Sequence, residues 1–325
     1  SGAGGSGAGG DATPCTVHVP GDYADLGTAF AALAPTGGKI CVTAPVPGGT
    51  LHAVPDGTPP LEVEGFGRDA PDNTMTIDVD GYTPGLFVHD ITLEGLGVDA
   101  ATVTIARARL ATSTLGGGVL AVDDRNGPTH VVVDACELTN EAVALQQLGT
   151  EGAALVHPWG NTPGELLRIQ NSWIHDANTG VCYYQPTVPA DLAHDAVVLV
   201  NDTFTTDTYG AYFTVRDPSH GFPITVANDV FAGSMNVAVS ISELTAVSYL
   251  TVSHDAYWQN GTNFYGAVPP GPGFVSSDPK LDMQSPPAPG AGSPLVGAAD
   301  PAYAPVADFE GAARGGSPDI GARER

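Results

Sequence analysis

The chain has 325 residues, 42 of them Gly and 28 Pro, with 42% hydrophobic and 14% charged residues. That composition describes a turn-rich chain with ample material for a core, which excludes wholesale disorder, and no run of 18 apolar residues is available to span a bilayer. The 36 Asp and Glu against 11 Lys and Arg leave a net charge of −25, a surface that repels nucleic acid, anionic lipid and polyuronate chains and suits salt, divalent cations or cationic partners.

Residues 1–14 open as SGAGGSGAGG followed by Asp-Ala-Thr-Pro, a Gly/Ser-rich arm of the kind that holds a domain off a cell surface. A short amphipathic helix is predicted over roughly 22–35: Leu26, Ala29, Phe30 and Leu33 share one face and Gly37-Gly38 end it. Four cysteines point to an oxidising compartment. Cys15 and Cys41 flank short β-type runs and are expected to form a disulfide stapling the N-terminal cap, while Cys136 and Cys182 either pair or stay buried thiols.

Beyond the helix the chain is short β-runs punctuated by Gly, Pro, Asn and Asp, and the runs repeat. Ile169-Gln170-Asn171-Ser172-Trp173-Ile174, Leu199-Val200-Asn201-Asp202-Thr203-Phe204, Val226-Ala227-Asn228-Asp229-Val230-Phe231 and Val252-Ser253-His254-Asp255-Ala256-Tyr257 share one pattern, with fainter copies from Val133 and Ile105. A second strand follows each turn, from Gly180, Gly210 and Asn236. Two short strands and a tight turn per repeat describe one coil of a parallel β-helix, coils stacking at about 4.8 Å. Asn171, Asn201 and Asn228 then form a column at a sharp turn, where Asn tolerates left-handed backbone and its amide bonds along the stack.

The C-terminal segments Asp308-Phe309-Glu310-Gly311-Ala312-Ala313-Arg314 and Asp319-Ile320-Gly321-Ala322-Arg323-Glu324 resemble the closing signature of many secreted bacterial proteins, pectate-lyase-like right-handed parallel β-helices with a D-F-D-G-x-x-R…D-I-G-A-x-E tail. Glu310 and Arg323 depart from that pattern. The helix followed by Gly-Gly-Lys-Ile-Cys-Val is similar to the family's N-terminal cap. The resemblance implies an all-β right-handed solenoid with a short capping helix and an irregular tail, exported to the outside or surface of a bacterium. The expected organisation is an arm over 1–14, the β-helix with its cap over 15–270, and a tail over 271–325 packed upon it.

Candidates for chemistry follow from the repeat. Asp202, Asp229 and Asp255 form a column one position after the Asn column; stacked carboxylates bind a cation such as calcium, raise their pKa values, or splay into water as solvated turn residues. A retaining glycosidase pair also needs two carboxyls about 5 Å apart. A polysaccharide lyase needs a base, and with lysine confined to Lys39 and Lys280, arginine must serve: Arg107 and Arg109, alternating along one strand face, with Arg125, Arg168 and Arg216 behind them. Asp123-Asp124 and Arg168-Ile169-Gln170 only echo the motifs of polygalacturonase-type hydrolases. The four His-Asp dipeptides make no dyads on a strand, because neighbours face opposite sides. Trp173 and Tyr257 fall at core positions; Tyr183, Tyr184 and Trp258 are open to glycan or interface roles. The reading that results is a non-enzymatic extracellular or surface protein, structural or adhesive, self-assembling through its arm and open strand edges. The alternatives are a polysaccharide lyase, a glycoside hydrolase or a glycan-binding module on the β-helix flank.

Overall fold

The structure is a computed structural model that describes residues 13–55, 57–69, 75–112, 118–140, 152–184, 196–214, 223–242, 248–282 and 284–325. Residues 1–12, the Arg216 position and the His194-Asp195 pair lie outside the described residues. Three parallel sheets run the length of a right-handed parallel β-helix. The first has ten strands from Val17–Val19 to Leu250–Ser253, the second seven from Thr92–Leu93 to Ala256–Trp258, and the third nine from Gly49–His52 to Thr262–Tyr265. One coil is Glu165–Gln170 in the first sheet, Trp173–His175 in the second and Thr179–Tyr184 in the third. Strands pair with their counterparts one coil away, with one register shift between Glu165 and Leu167, so Ile169 meets Leu199, which meets Val226, which meets Val252.

The corner between the first and second sheets explains the repeat. Asp90, Arg107, Ala135, Asn171, Asn201, Asn228 and His254 occupy the same corner position, all with φ between +50° and +62°. A left-handed residue turns the chain abruptly enough for two strands to meet with a single intervening residue after it, and Asn adopts that conformation at least cost. Along the Asn column only one direct amide bond forms, Asn228 Nδ2 to Asn201 Oδ1 at 3.1 Å. Asn171 instead donates to Asp134 at 2.9 Å, and Asn201 donates to the carbonyl of Asp319 in the tail. Asn therefore serves as turn former and tail receptor more than as a continuous ladder.

Inside, period-2 alternation fills the coil with Val, Ile and Leu, and rings stack between coils: Phe204 on Phe231 at 4.6 Å and Phe231 on Tyr257 at 5.3 Å. The interior is tight enough at Gly210 that a Cβ would stand 2.5 Å from the Ala238 carbonyl and 2.6 Å from the Phe231 ring, which is why Gly holds the second position of the strand Tyr209–Thr214. The helix, Leu26–Leu33, is capped by Asp25, which accepts from the Thr28 N–H at 2.7 Å, and buries Leu26, Ala29, Phe30 and Leu33 against the first coils. Cys15 and Cys41 are disulfide-bonded; Cys136 and Cys182 are free and buried.

The tail lies over the corner and the outer face of the second sheet. Arg314 donates to Asn171 Oδ1 (2.8 Å), Glu324 (2.8 Å) and the carbonyls of Asp319, Gly321 and Ala322. Asp308 accepts from the N–H groups of Glu310, Ala312 and Glu324. Asp300 exchanges two bonds with Asn228. Leu295 and Ile320 bury Val230 and Ala256, and Phe309 packs on Ala135 and Trp173. Trp173 is thus covered by the tail rather than held in the coil interior, where Tyr257 does lie.

Candidate functional site

The aspartate column is not solvated. Asp202, Asp229 and Asp255 are fully buried, because the residue after the left-handed turn points into the coil. Each carboxylate accepts the backbone N–H one coil below: Asp202 from Ser172 (2.7 Å), Asp229 from Asp202 (2.7 Å), Asp255 from Asp229 (2.8 Å). Burial pushes all three well above the ordinary carboxylate range, and at Asp229 both neighbours push further. These are hydrogen-bonding struts within the fold, and no ligand reaches them to make a catalytic pair or a calcium site. Among the described residues the group with metal-like spacing is Glu62, Glu64 and His89. There the Lys39 ammonium already lies 2.8 Å from Glu62 and 2.7 Å from Glu64.

Arg107 and Arg109 do not share a strand face. Arg107 is a corner residue bound to Asp90 through two bonds, and Arg109 starts the next strand, paired with Glu137 at 3.1 Å. Both guanidiniums are engaged in ion pairs. His89-Asp90 and His175-Asp176 do pair, at 2.7 and 2.8 Å, because their aspartates are left-handed and bend the side chains together. His89 is further tied to Glu62 at 2.9 Å; burial opposes its charge, but the two carboxylates outweigh that and raise its pKa. Tyr183 is buried in the core, one residue out of phase with outward-facing Tyr184. Trp258 stands partly exposed on the second sheet.

The outer face of the third sheet gathers groups that the repeat did not single out. Asp80, Asp99, Asp123 and His157 occupy one register on four successive strands, and the His157 ring meets Tyr184 edge-on at 6.2 Å. Asp99 accepts from the backbone and side-chain amides of Asn126. Asp123 accepts from the Arg125 N–H at 2.8 Å, with the Arg125 guanidinium 3.7 Å and His157 Nδ1 3.9 Å away. Burial raises the Asp123 pKa and the Asp99 charge adds to it, against the opposing Arg125 N–H. Burial also lowers the pKa of His157, so at neutral pH this histidine is uncharged. Arg125 lies over the Trp159 ring at 4.6 Å. Next to these, Asp124 is wholly buried and holds the following coil by accepting from the N–H groups of Trp159 and Asn161.

Farther along the same face, Cys182 pairs with Tyr212, which pairs with Ser240, which pairs with Tyr265. Tyr209, Tyr212 and Tyr265 rim a hollow of about 600 Å³ with Met235 and Asn236. Tyr209 and Tyr212 meet edge to face at 5.8 Å, and Asn236 donates to the Tyr209 hydroxyl. From the Asp80 strand to the Tyr265 strand the face spans seven inter-strand steps, about 34 Å at the usual spacing. Carboxylates occupy one half and tyrosines the other.

No family model and no curated protein matches the sequence. Among solved structures, the chain is similar to the crystal structure of pectate lyase Pel9A, with a TM-score of 0.52 and 14% identity over 92% of this chain and 90% of that one. A likeness at that identity speaks to architecture, and the chain has a pectate-lyase-like parallel β-helix fold.

Proposed function

We propose that the protein is an extracellular polysaccharide-binding β-helix, structural or adhesive, that holds a glycan along the outer face of its third sheet. The observation that carries this reading is the cluster of Tyr209, Tyr212 and Tyr265 around a 600 Å³ hollow, with Tyr212 and Tyr265 in one register column on either side of Ser240, at one end of a row of carboxylates. Aromatic rings stack on the apolar faces of sugars, and carboxylates accept from sugar hydroxyls. The row Asp80, Asp99 and Asp123 favours a neutral glycan, since a polyuronate would need a bridging cation such as calcium. Binding without lysis fits the described residues of this face, where no lysine stands and Arg125 is committed to Asp123 and Trp159. The Cys15–Cys41 disulfide fits an oxidising compartment outside the cell.

One observation favours a second reading, glycoside hydrolysis. Asp123 has a raised pKa while neighbouring Asp99 is held by two amide donors, the division between proton donor and carboxylate that acid–base cleavage of a glycosidic bond requires. Incubation with immobilised neutral and acidic polysaccharides, with and without calcium, separates these readings by retention, new reducing ends and the ultraviolet absorbance of unsaturated ends. Retention that Tyr212→Ala abolishes, without products, supports binding. Reducing ends lost in Asp123→Asn with retention intact support hydrolysis. Absence of retention across the panel refutes the proposal.

A further inference from the structure

The second sheet has a hollow of its own, of about 460 Å³, lying between its outer face and the tail. Its floor follows one register column: His175 pairs with Thr205, Thr205 with Ala232, and Ala232 with Trp258. Two small side chains therefore separate two large rings, leaving a shelf about 10 Å long at the usual strand spacing. The lower wall is fixed, since Trp173 stacks on His175 at 3.7 Å and donates from its indole to Thr205 Oγ1 at 2.9 Å. At the upper end, the Trp258 indole N–H has no hydrogen-bond partner among the described residues. Gln259 follows it in a left-handed turn and lines the same hollow.

The polar groups around the shelf match sugar hydroxyls. Asp176 lines it from below, anchored by Thr206 Oγ1 at 2.6 Å and His175 at 2.8 Å. Burial opposes its charge, but these bonds outweigh that and keep it ionised. Asp278 and Gln284 line it from the tail. The nearby Arg323 donates through Nη1 to the Gln284 side-chain oxygen (3.2 Å) and the Pro286 carbonyl (3.1 Å), and its Nε lies 4.0 Å from Glu310. An aromatic platform, two carboxylates and two amides in a cleft of small-molecule size suit a polyhydroxylated, uncharged ring, and the carboxylates disfavour an anionic one.

We propose that this cleft is a second carbohydrate site, binding a neutral sugar residue with its ring on Trp258 and its hydroxyls on Asp176, Asp278 and Gln259. The site is separate from the tyrosine face of the third sheet and stands whether or not a glycan binds there. Tryptophan fluorescence titrated with oligomers of glucose, galactose, mannose and N-acetylglucosamine, against oligogalacturonate, tests it. The expected result is a saturable change with at least one neutral oligomer and none with oligogalacturonate. That change should persist in Tyr212→Ala, and affinity should fall about tenfold or more in Trp258→Ala. Ala232→Leu fills the shelf while keeping every tryptophan, so it should abolish the change with the thermal transition intact. No response to any neutral oligomer, or wild-type affinity in both Trp258→Ala and Ala232→Leu, overturns the proposal.

Discussion

Replacing Asp229 with Asn tests whether the buried acid column governs the pH dependence of stability. In the unfolded chain its carboxyl titrates near 3.9; in the fold, burial and the neighbouring Asp202 and Asp255 raise its pKa well above that. The folded state therefore holds a proton that the unfolded state has released. The stabilisation is complete below about pH 4 and is lost as pH rises toward the folded value, at about 1.4 kcal/mol per pH unit for each such acid. Asn at 229 keeps an oxygen to accept the Asp202 N–H, now bound at 2.7 Å, and cannot ionise. Between pH 5 and pH 7 the variant should gain steadily on the wild type, by at most about 1.4 kcal/mol per pH unit and for as long as the pH stays below the folded pKa, a widening of up to about 3 °C in Tm per pH unit at about 2 °C per kcal/mol. Calorimetry at pH 5, 6 and 7 measures the gap. A gap that stays constant with pH, or one that closes as pH rises, refutes the reasoning.

Reduction of Cys15–Cys41, or Cys41→Ser, should cost about 3 kcal/mol through the unfolded-state entropy of its 26-residue separation, seen as a lower Tm under reducing conditions. Arg314→Ala should cost about 3 kcal/mol by removing the buried cation that pairs with Glu324 and bonds three tail carbonyls, and limited proteolysis should then cut the tail first. Deleting residues 1–14 should reduce particle size in light scattering if the arm joins copies head to tail; an unchanged monomer before and after deletion ends that proposal.

Much of the architecture was legible because the corner imposes a chemical requirement on each coil. The left-handed position admits few residues cheaply, so Asn171, Asn201 and Asn228 mark it at regular offsets, and the fainter copies carry Arg107 and Ala135 at the same φ. The tail residues are tied together by side chains that bond the backbone. Asp308 accepts from three tail N–H groups, Asp319 from two, Glu324 from one, and Arg314 donates to three tail carbonyls as well as to Asn171 at the corner. The direction of the next side chain was harder to read. A column of aspartates one step past a turn looks solvent-facing in sequence, yet the turn's hand drives Asp202, Asp229 and Asp255 inward.

The third-sheet face was illegible for a different reason. Its members come from strands separated by connections of unequal length, so Asp99, Asp123 and His157 have no common sequence offset even though they share one register. The corner is the fixed point of each coil, and the distance from corner to third-sheet strand varies from coil to coil. Tyr183 and Tyr184 show the sensitivity: a shift of one residue decides which ring enters the core and which faces outward. Turn chemistry therefore reports the fold from sequence, while a flank site in a solenoid emerges only once register aligns strands that the sequence spaces irregularly. It follows that substitutions at Asn201 or Asn228 should act on the whole coil, whereas Asp123, His157 and Tyr212 can vary with function while the coil beneath them stays unchanged.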